Sequence, residues 1–135
     1  MLVLIRGAGD IATGIALRLW RAGVQVVMTD LSQPTAIRRT VCFSQAIVLG
    51  ETQVEDATAR RAVDVPQARR ICAAGEISVL ADPELRCREA LRPDALVDAI
   101  LAKRNLGTRI TDAPVVVGVG PGFTAGEDCH AVVET

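Results

Sequence analysis

Leu2-Val-Leu-Ile-Arg6-Gly7-Ala8-Gly9-Asp10-Ile11-Ala12-Thr-Gly14 opens the chain, an apolar run that breaks into glycines and then turns helical. Leu2 to Arg6 suits a strand buried on both faces in a parallel sheet, because it does not alternate with polar residues. From Ile11 onward apolar positions recur at helical spacing, as Ile11, Ile15, Leu19 and as Ala12, Ala16, Trp20, until Gly23 stops the pattern. Val24 to Thr29 is apolar and β-branched, so it reads as a second parallel strand returned by the helix. The first 30 residues thus form one βαβ unit.

The α/β order continues downstream. Pro34 is placed to open a helix through Ala36 and Ile37 toward Ala46. Between Gly50 and Val63 an alternating pattern around a polar turn at Glu55 and Asp56 predicts an inserted β-hairpin. Pro66 opens a helix ending at Gly75, and Ile77 to Ala81 is a further strand. Leu96 to Leu101 fits either a strand or a helix begun at Asp94, and strand is preferred. Val115 to Val119 is a β-branched run leading into Gly118, Gly120, Pro121, Gly122 and Gly126, and Ala131 to Val133 supplies a last strand. The expectation is an α/β fold, a Rossmann-like three-layer sandwich with a mostly parallel sheet and an inserted β-hairpin, as one domain over residues 1–135. The chain ends at Thr135 directly after strand-like residues, so a shortened chain is expected.

Composition narrows the function classes. Half of the residues are apolar, and 15 basic against 16 acidic side chains leave a formal net charge of −1. A nucleic-acid partner is therefore not expected, since a phosphate-backbone binder carries a basic excess. No run approaches the ~20 apolar residues of a membrane span, so no membrane is expected either. Cys42, Cys72, Cys87 and Cys129 form no C-x-x-C pair, which gives neither a zinc cassette nor a redox motif and fits a reduced, cytoplasmic setting.

The first glycine turn reads G-x-G-x-x-A between strand and helix. Gly7 allows the tight turn, Gly9 lets backbone approach a pyrophosphate without a Cβ between, and Ala12 permits close helix packing. Ala8, Asp10 and Ile11 complete the loop, where an anion would rest on the helix N-terminal amides. Asp30 closes the second strand, where an acid accepts hydrogen bonds from ribose hydroxyls. Asp10 brings negative charge beside the expected phosphate, or else serves as the N-cap of the helix. The second glycine loop, with Gly120, Gly122 and Thr124 at the carboxyl end of a strand, either cradles a ligand or is a compact turn. His130 beside Cys129 and Asp128 reads as a structural histidine, because extended backbone sends Cys129 and His130 to opposite faces. Hence no metal ligands are assigned, and catalytic residues stay unassigned.

Leu4-Ile-Arg-Gly-Ala-Gly-Asp-Ile-Ala-Thr-Gly14, Gln33-Pro-Thr-Ala-Ile-Arg-Arg-Thr-Val41, Asp98-Ala-Ile-Leu-Ala-Lys, Gly107-Thr-Arg and Gly120-Pro-Gly-Phe-Thr-Ala-Gly126 together resemble one family. It is the YqeB-type accessory proteins of selenium-dependent molybdenum hydroxylase systems, relatives of the XdhC-type maturation factors that serve xanthine dehydrogenase. The resemblance covers nearly the whole chain. It implies an accessory role in maturing such an enzyme, holding the molybdopterin cofactor or handling its sulfur or selenium ligand, with the hydroxylase as client protein. It carries over Arg6, Gly7, Gly9, Asp10, Pro34, Thr35, Arg38, Arg39, Gly120, Gly122, Thr124 and Gly126 as motif residues without individual roles. By charge and position near strand ends, Arg38, Arg39, Lys103 and Arg109 are candidates to neutralise phosphates. NAD and molybdopterin cytosine dinucleotide are the cofactor candidates. The alternatives are an NAD-dependent oxidoreductase domain and a nucleotide-sensing regulatory module, and a homo-oligomer is expected from the sheet edge at His130 to Glu134.

Overall fold

The computed structural model describes residues 1–34 and 42–135. Eight strands form one sheet in the order β3-β4-β5-β2-β1-β6-β7-β8, with β1 at Leu2–Arg6, β2 at Gln25–Asp30, β3 at Glu51–Val54, β4 at Ala57–Ala62, β5 at Ile77–Ala81, β6 at Ala95–Asp98, β7 at Val115–Val119 and β8 at Ala131–Val133. Every pairing is parallel except the β3–β4 hairpin. The hairpin is part of the sheet itself, since β4 pairs in parallel with β5.

Helices lie on both faces, as the mainly apolar central strands, buried on both sides, require. On one face α1 (Asp10–Arg21), α2 (Gln45–Leu49) and Phe43 just before α2 bury Ala12, Ala16, Ile47 and the Phe43 ring against Val3, Ile5, Val26 and Met28. On the other, α3 (Val65–Ala73) and α4 (Arg88–Leu91) bury Ala68, Ile71 and Leu91 against Leu4, Val27 and Leu96. Leu4 and Ile5 are completely enclosed, and each such side chain contributes about 1.5–3 kcal/mol on burial. The result is the expected Rossmann-like sandwich.

Three boundaries differ from the sequence reading. The helix expected from Pro34 falls mainly on residues 35–41, outside the described residues; past them, Cys42 to Ser44 form a turn and α2 begins only at Gln45. The strand expected at Leu96 to Leu101 ends at Asp98, because Ala99 to Leu101 leave the sheet to pass over its edge, with Leu101 in the left-handed region at φ 62°. The short α4 had no expectation, being too brief for a period to show.

The chain steps from β1 to β2 on one side and returns to β6 on the other. Strand order therefore reverses between β1 and β6, and loops at the carboxyl ends there diverge to leave a crevice. The ladders run on into the glycine turn, as Gly7 N–H donates to the Thr29 carbonyl at 2.7 Å and Ala99 N–H to the Arg6 carbonyl at 2.9 Å.

Candidate functional site

A cleft of about 700 Å³ occupies that crevice. Gly7, Ala8, Gly9, Asp10, Ile11 and Asp30, all singled out in the sequence, line it. Gly7 stands at φ 109°, and a Cβ there would lie 2.9 Å from the Ala99 carbonyl oxygen, so both backbone conformation and neighbour demand glycine. At Gly9 a Cβ would meet no atom within 4 Å. Its missing side chain leaves room in the cleft, not in the fold.

Gly9 is itself the N-cap of α1, in extended conformation with no side-chain cap, and Asp10 is the first helical residue. This corrects the reading of Asp10 as the N-cap. The Asp10 carboxylate instead accepts the Cys42 thiol at 2.7 Å. The same segment is sewn down further by Phe43 N–H on Thr13 Oγ1 at 2.9 Å and Ser44 N–H on the Ala8 carbonyl at 3.0 Å. First-turn amides of a helix have no partner within it, and their dipoles favour an anion.

Asp30 has a structural task besides the one expected. One carboxylate oxygen accepts Ala8 N–H at 3.1 Å and the other accepts Leu31 N–H at 2.7 Å. These bonds hold the glycine turn against the end of β2. Each oxygen keeps a second lone pair, which remains suited to a ribose hydroxyl.

Arg6, carried over only as a motif residue, proves to organise the floor. It is 7% exposed. Its Nε and Nη2 donate to the Pro83 carbonyl at 3.2 and 3.0 Å, Nη2 also to the Leu106 carbonyl at 3.1 Å, and Nη1 to Thr108 Oγ1 at 3.0 Å. Thr108 Oγ1 donates to Asp98 Oδ2 at 2.6 Å, and that oxygen lies 3.9 Å from Arg6 Nη1. One buried cation thereby ties the loops after β5 and β6 to the end of β1. Asp98 and Thr108 stand within the quoted motifs Asp98-Ala-Ile-Leu-Ala-Lys and Gly107-Thr-Arg, but their pairing across the fold had no local signal.

Thr29, on β2 beside Arg6, also lines the cleft. It is fully buried, and its Oγ1 has no hydrogen-bond partner among the described residues. Leu31, Pro83, Glu84, Ala99, Ile100, Leu101 and Leu106 complete the lining; Ala99 to Leu101 had been quoted only as part of a motif, and the others not at all. They are contributed by loops whose approach only the sheet order produces.

The remaining candidates divide. Arg38 and Arg39 lie outside the described residues. Lys103 and Arg109 do not line the cleft, and Arg109 instead reaches Asp112, Nε to Oδ1 at 3.7 Å. Gly120, Gly122 and Thr124 do not line it either; their loop packs behind its wall. A Cβ on Gly120 would lie 2.7 Å from the Leu101 side chain, and one on Gly122 2.7 Å from Arg104 Cα. Asp128 secures this loop by accepting Thr124 N–H at 2.8 Å and the Asn105 side-chain amide at 3.2 Å. Burial alone would raise the Asp128 pKa, but these hydrogen bonds outweigh it and hold the carboxyl below its ordinary value. His130 is exposed, and its Nδ1 accepts Val116 N–H at 2.9 Å, which fixes the ring at the start of β7.

No protein-family model matches the chain, and no solved structure matches it. The chain is 54% identical over 134 residues, 99% of its own length, to the uncharacterized protein YqeB of Escherichia coli (strain K12). It spans 25% of the length of that relative. Over nearly all its residues, then, this chain is similar to one part of a longer YqeB protein.

Proposed function

We propose that this domain binds a nucleotide in the β1/β6 cleft as an accessory protein in the maturation of a selenium-dependent molybdenum hydroxylase of the xanthine dehydrogenase type. The observation that carries the binding reading is Gly9, whose vacant Cβ position faces open space at the start of α1 beside Asp30. The α1 amides would take a phosphate and Asp30 a ribose hydroxyl. The similarity to YqeB agrees with the resemblance from which the accessory role is inferred. NAD and molybdopterin cytosine dinucleotide are the ligands to compare, the second supplying the pterin-bound metal centre to a client hydroxylase.

The reading is one of holding rather than turnover. Arg6 is committed to three backbone and side-chain acceptors, the Asp30 carboxylate holds the glycine turn, and that of Asp10 fastens Cys42 to the start of α1. Calorimetric titration with NAD, NADH and molybdopterin cytosine dinucleotide tests it. Micromolar binding by the parent chain, weakened at least ~10-fold in Gly9→Val by a side chain standing where the phosphate should approach, is expected. Equal binding by both chains would remove the cleft from consideration, and steady-state hydride transfer by the isolated domain would favour an oxidoreductase instead.

A further inference from the structure

We infer that the cleft accommodates a single nucleotide unit, so that a dinucleotide is gripped by one half only and its other half lies outside the domain. The inference rests on the nucleotide-binding reading and adds the extent of the ligand. A dinucleotide on a doubly wound sheet extends across the switch point, each half over one set of strand ends. Here the lining residues come from the ends of β5, β2, β1 and β6, and none comes from the loop after β7.

The space that the second half would need is filled by the protein's own chain. After β6 the backbone crosses the carboxyl edge of the sheet with Leu101 at φ 62°, and Leu101 is among the residues that line the cleft. The second glycine loop presses on this segment from behind, Gly120 against Leu101 and Gly122 against the backbone of Arg104 and Asn105. The Phe123 ring covers Gly118 so closely that a side chain at that position would overlap it. Thr108, Leu106 and Arg6 then bind the crossing segment to the floor. Left-handed backbone is unfavourable at a leucine, and it is maintained here where the wall turns.

On the open side the cleft retains groups a nucleotide could use. Thr29 offers a buried hydroxyl with no partner among the described residues, Asp30 two carboxylate oxygens, and Gly9 an unobstructed approach to α1. These lie within a few residues of the ends of β1 and β2, which is the reach of one base, ribose and phosphate group.

The test compares each whole ligand with its half: ADP against NAD, and CMP against molybdopterin cytosine dinucleotide, by calorimetry on the full chain. In whichever pair binds, the half is expected to bind within a few-fold of the whole. Backbone amide NMR is expected to show the same shifts at residues 7–11 and 29–31 for both members, with residues 118–126 responding alike. A whole ligand tenfold or more tighter than its half, or shifts at 118–126 produced by the whole ligand alone, would overturn the inference while leaving nucleotide binding intact. Binding by none of the four would overturn the nucleotide reading, and this inference with it.

Discussion

Gly7 and Gly9 stand two positions apart and do opposite things. Gly7 is demanded by the protein, with a positive φ and the Ala99 carbonyl against it, whereas Gly9 faces open space. Gly7→Ala is therefore expected to destabilise the fold by ~1–3 kcal/mol through strained backbone, read as a lower urea midpoint. Gly9→Val should leave that midpoint nearly unchanged while the proposed nucleotide binding weakens at least ~10-fold. Arg6 makes a sharper case. Arg6→Met leaves Asp98 buried without its cation, and breaking a buried pair from one side costs about 3–5 kcal/mol. Thr108→Val, which removes a hydroxyl from the same network, should cost less, about 1–3 kcal/mol. Equal urea midpoints for parent and Arg6→Met would contradict the organising role assigned to the arginine.

Among the elements, α3 shows how far local sequence reaches. Pro66 lies in its first turn, and the Asp64 side chain caps it by accepting Gln67 N–H at 2.9 Å. Asp64→Ala is expected to lower stability by about 1 kcal/mol, with the proposed nucleotide affinity unchanged because α3 packs on the face opposite α1 and contributes nothing to the cleft lining. The loop between β7 and β8 is held instead by Asp128. Because its folded pKa is depressed, its contribution is fully present above the unfolded carboxylate value of about 3.9 and is lost as pH falls through the folded one. Melting temperatures of the parent and Asp128→Asn should differ at neutral pH and converge in acid; a constant difference down to pH ~3 would contradict this linkage. The glycines of that loop were legible as special from sequence, but not their purpose. Periodicity announces a turn, whereas close approach to Leu101 and Arg104 belongs to a segment some twenty residues away.

At the scale of the whole molecule, burial governs the thiols. All four cysteines are buried. Desolvation raises the pKa of Cys72, of Cys87, where the Asp82 carboxylate adds to it, and of Cys129, where Asp128 does. Since the thiolate is the reactive form, the folded chain should react slowly with a disulfide reagent at pH ~7 and release four equivalents promptly in denaturant. Rapid labelling of the native chain would mean that the two core layers open readily.

The alternation of strands and helices, the hairpin at Glu55-Asp56 and the first glycine turn were determined by sequence alone. Each depends on contacts within a few residues: apolar period, turn chemistry and the absence of a Cβ. The same local logic identified Asp30, because the end of β2 lies one helix beyond the turn. Tertiary structure decided the rest. Strand order placed Pro83, Leu101 and Leu106 around the same cleft as Gly9, and it joined Arg6 to Asp98 and Thr108 across about a hundred residues of chain. It also left Lys103 and Arg109 out of the cleft lining and packed the second glycine loop against Leu101 and Arg104. The physical reason is that burial and Coulomb attraction act through space, so partners distant in sequence leave no mark on the local pattern by which elements are read.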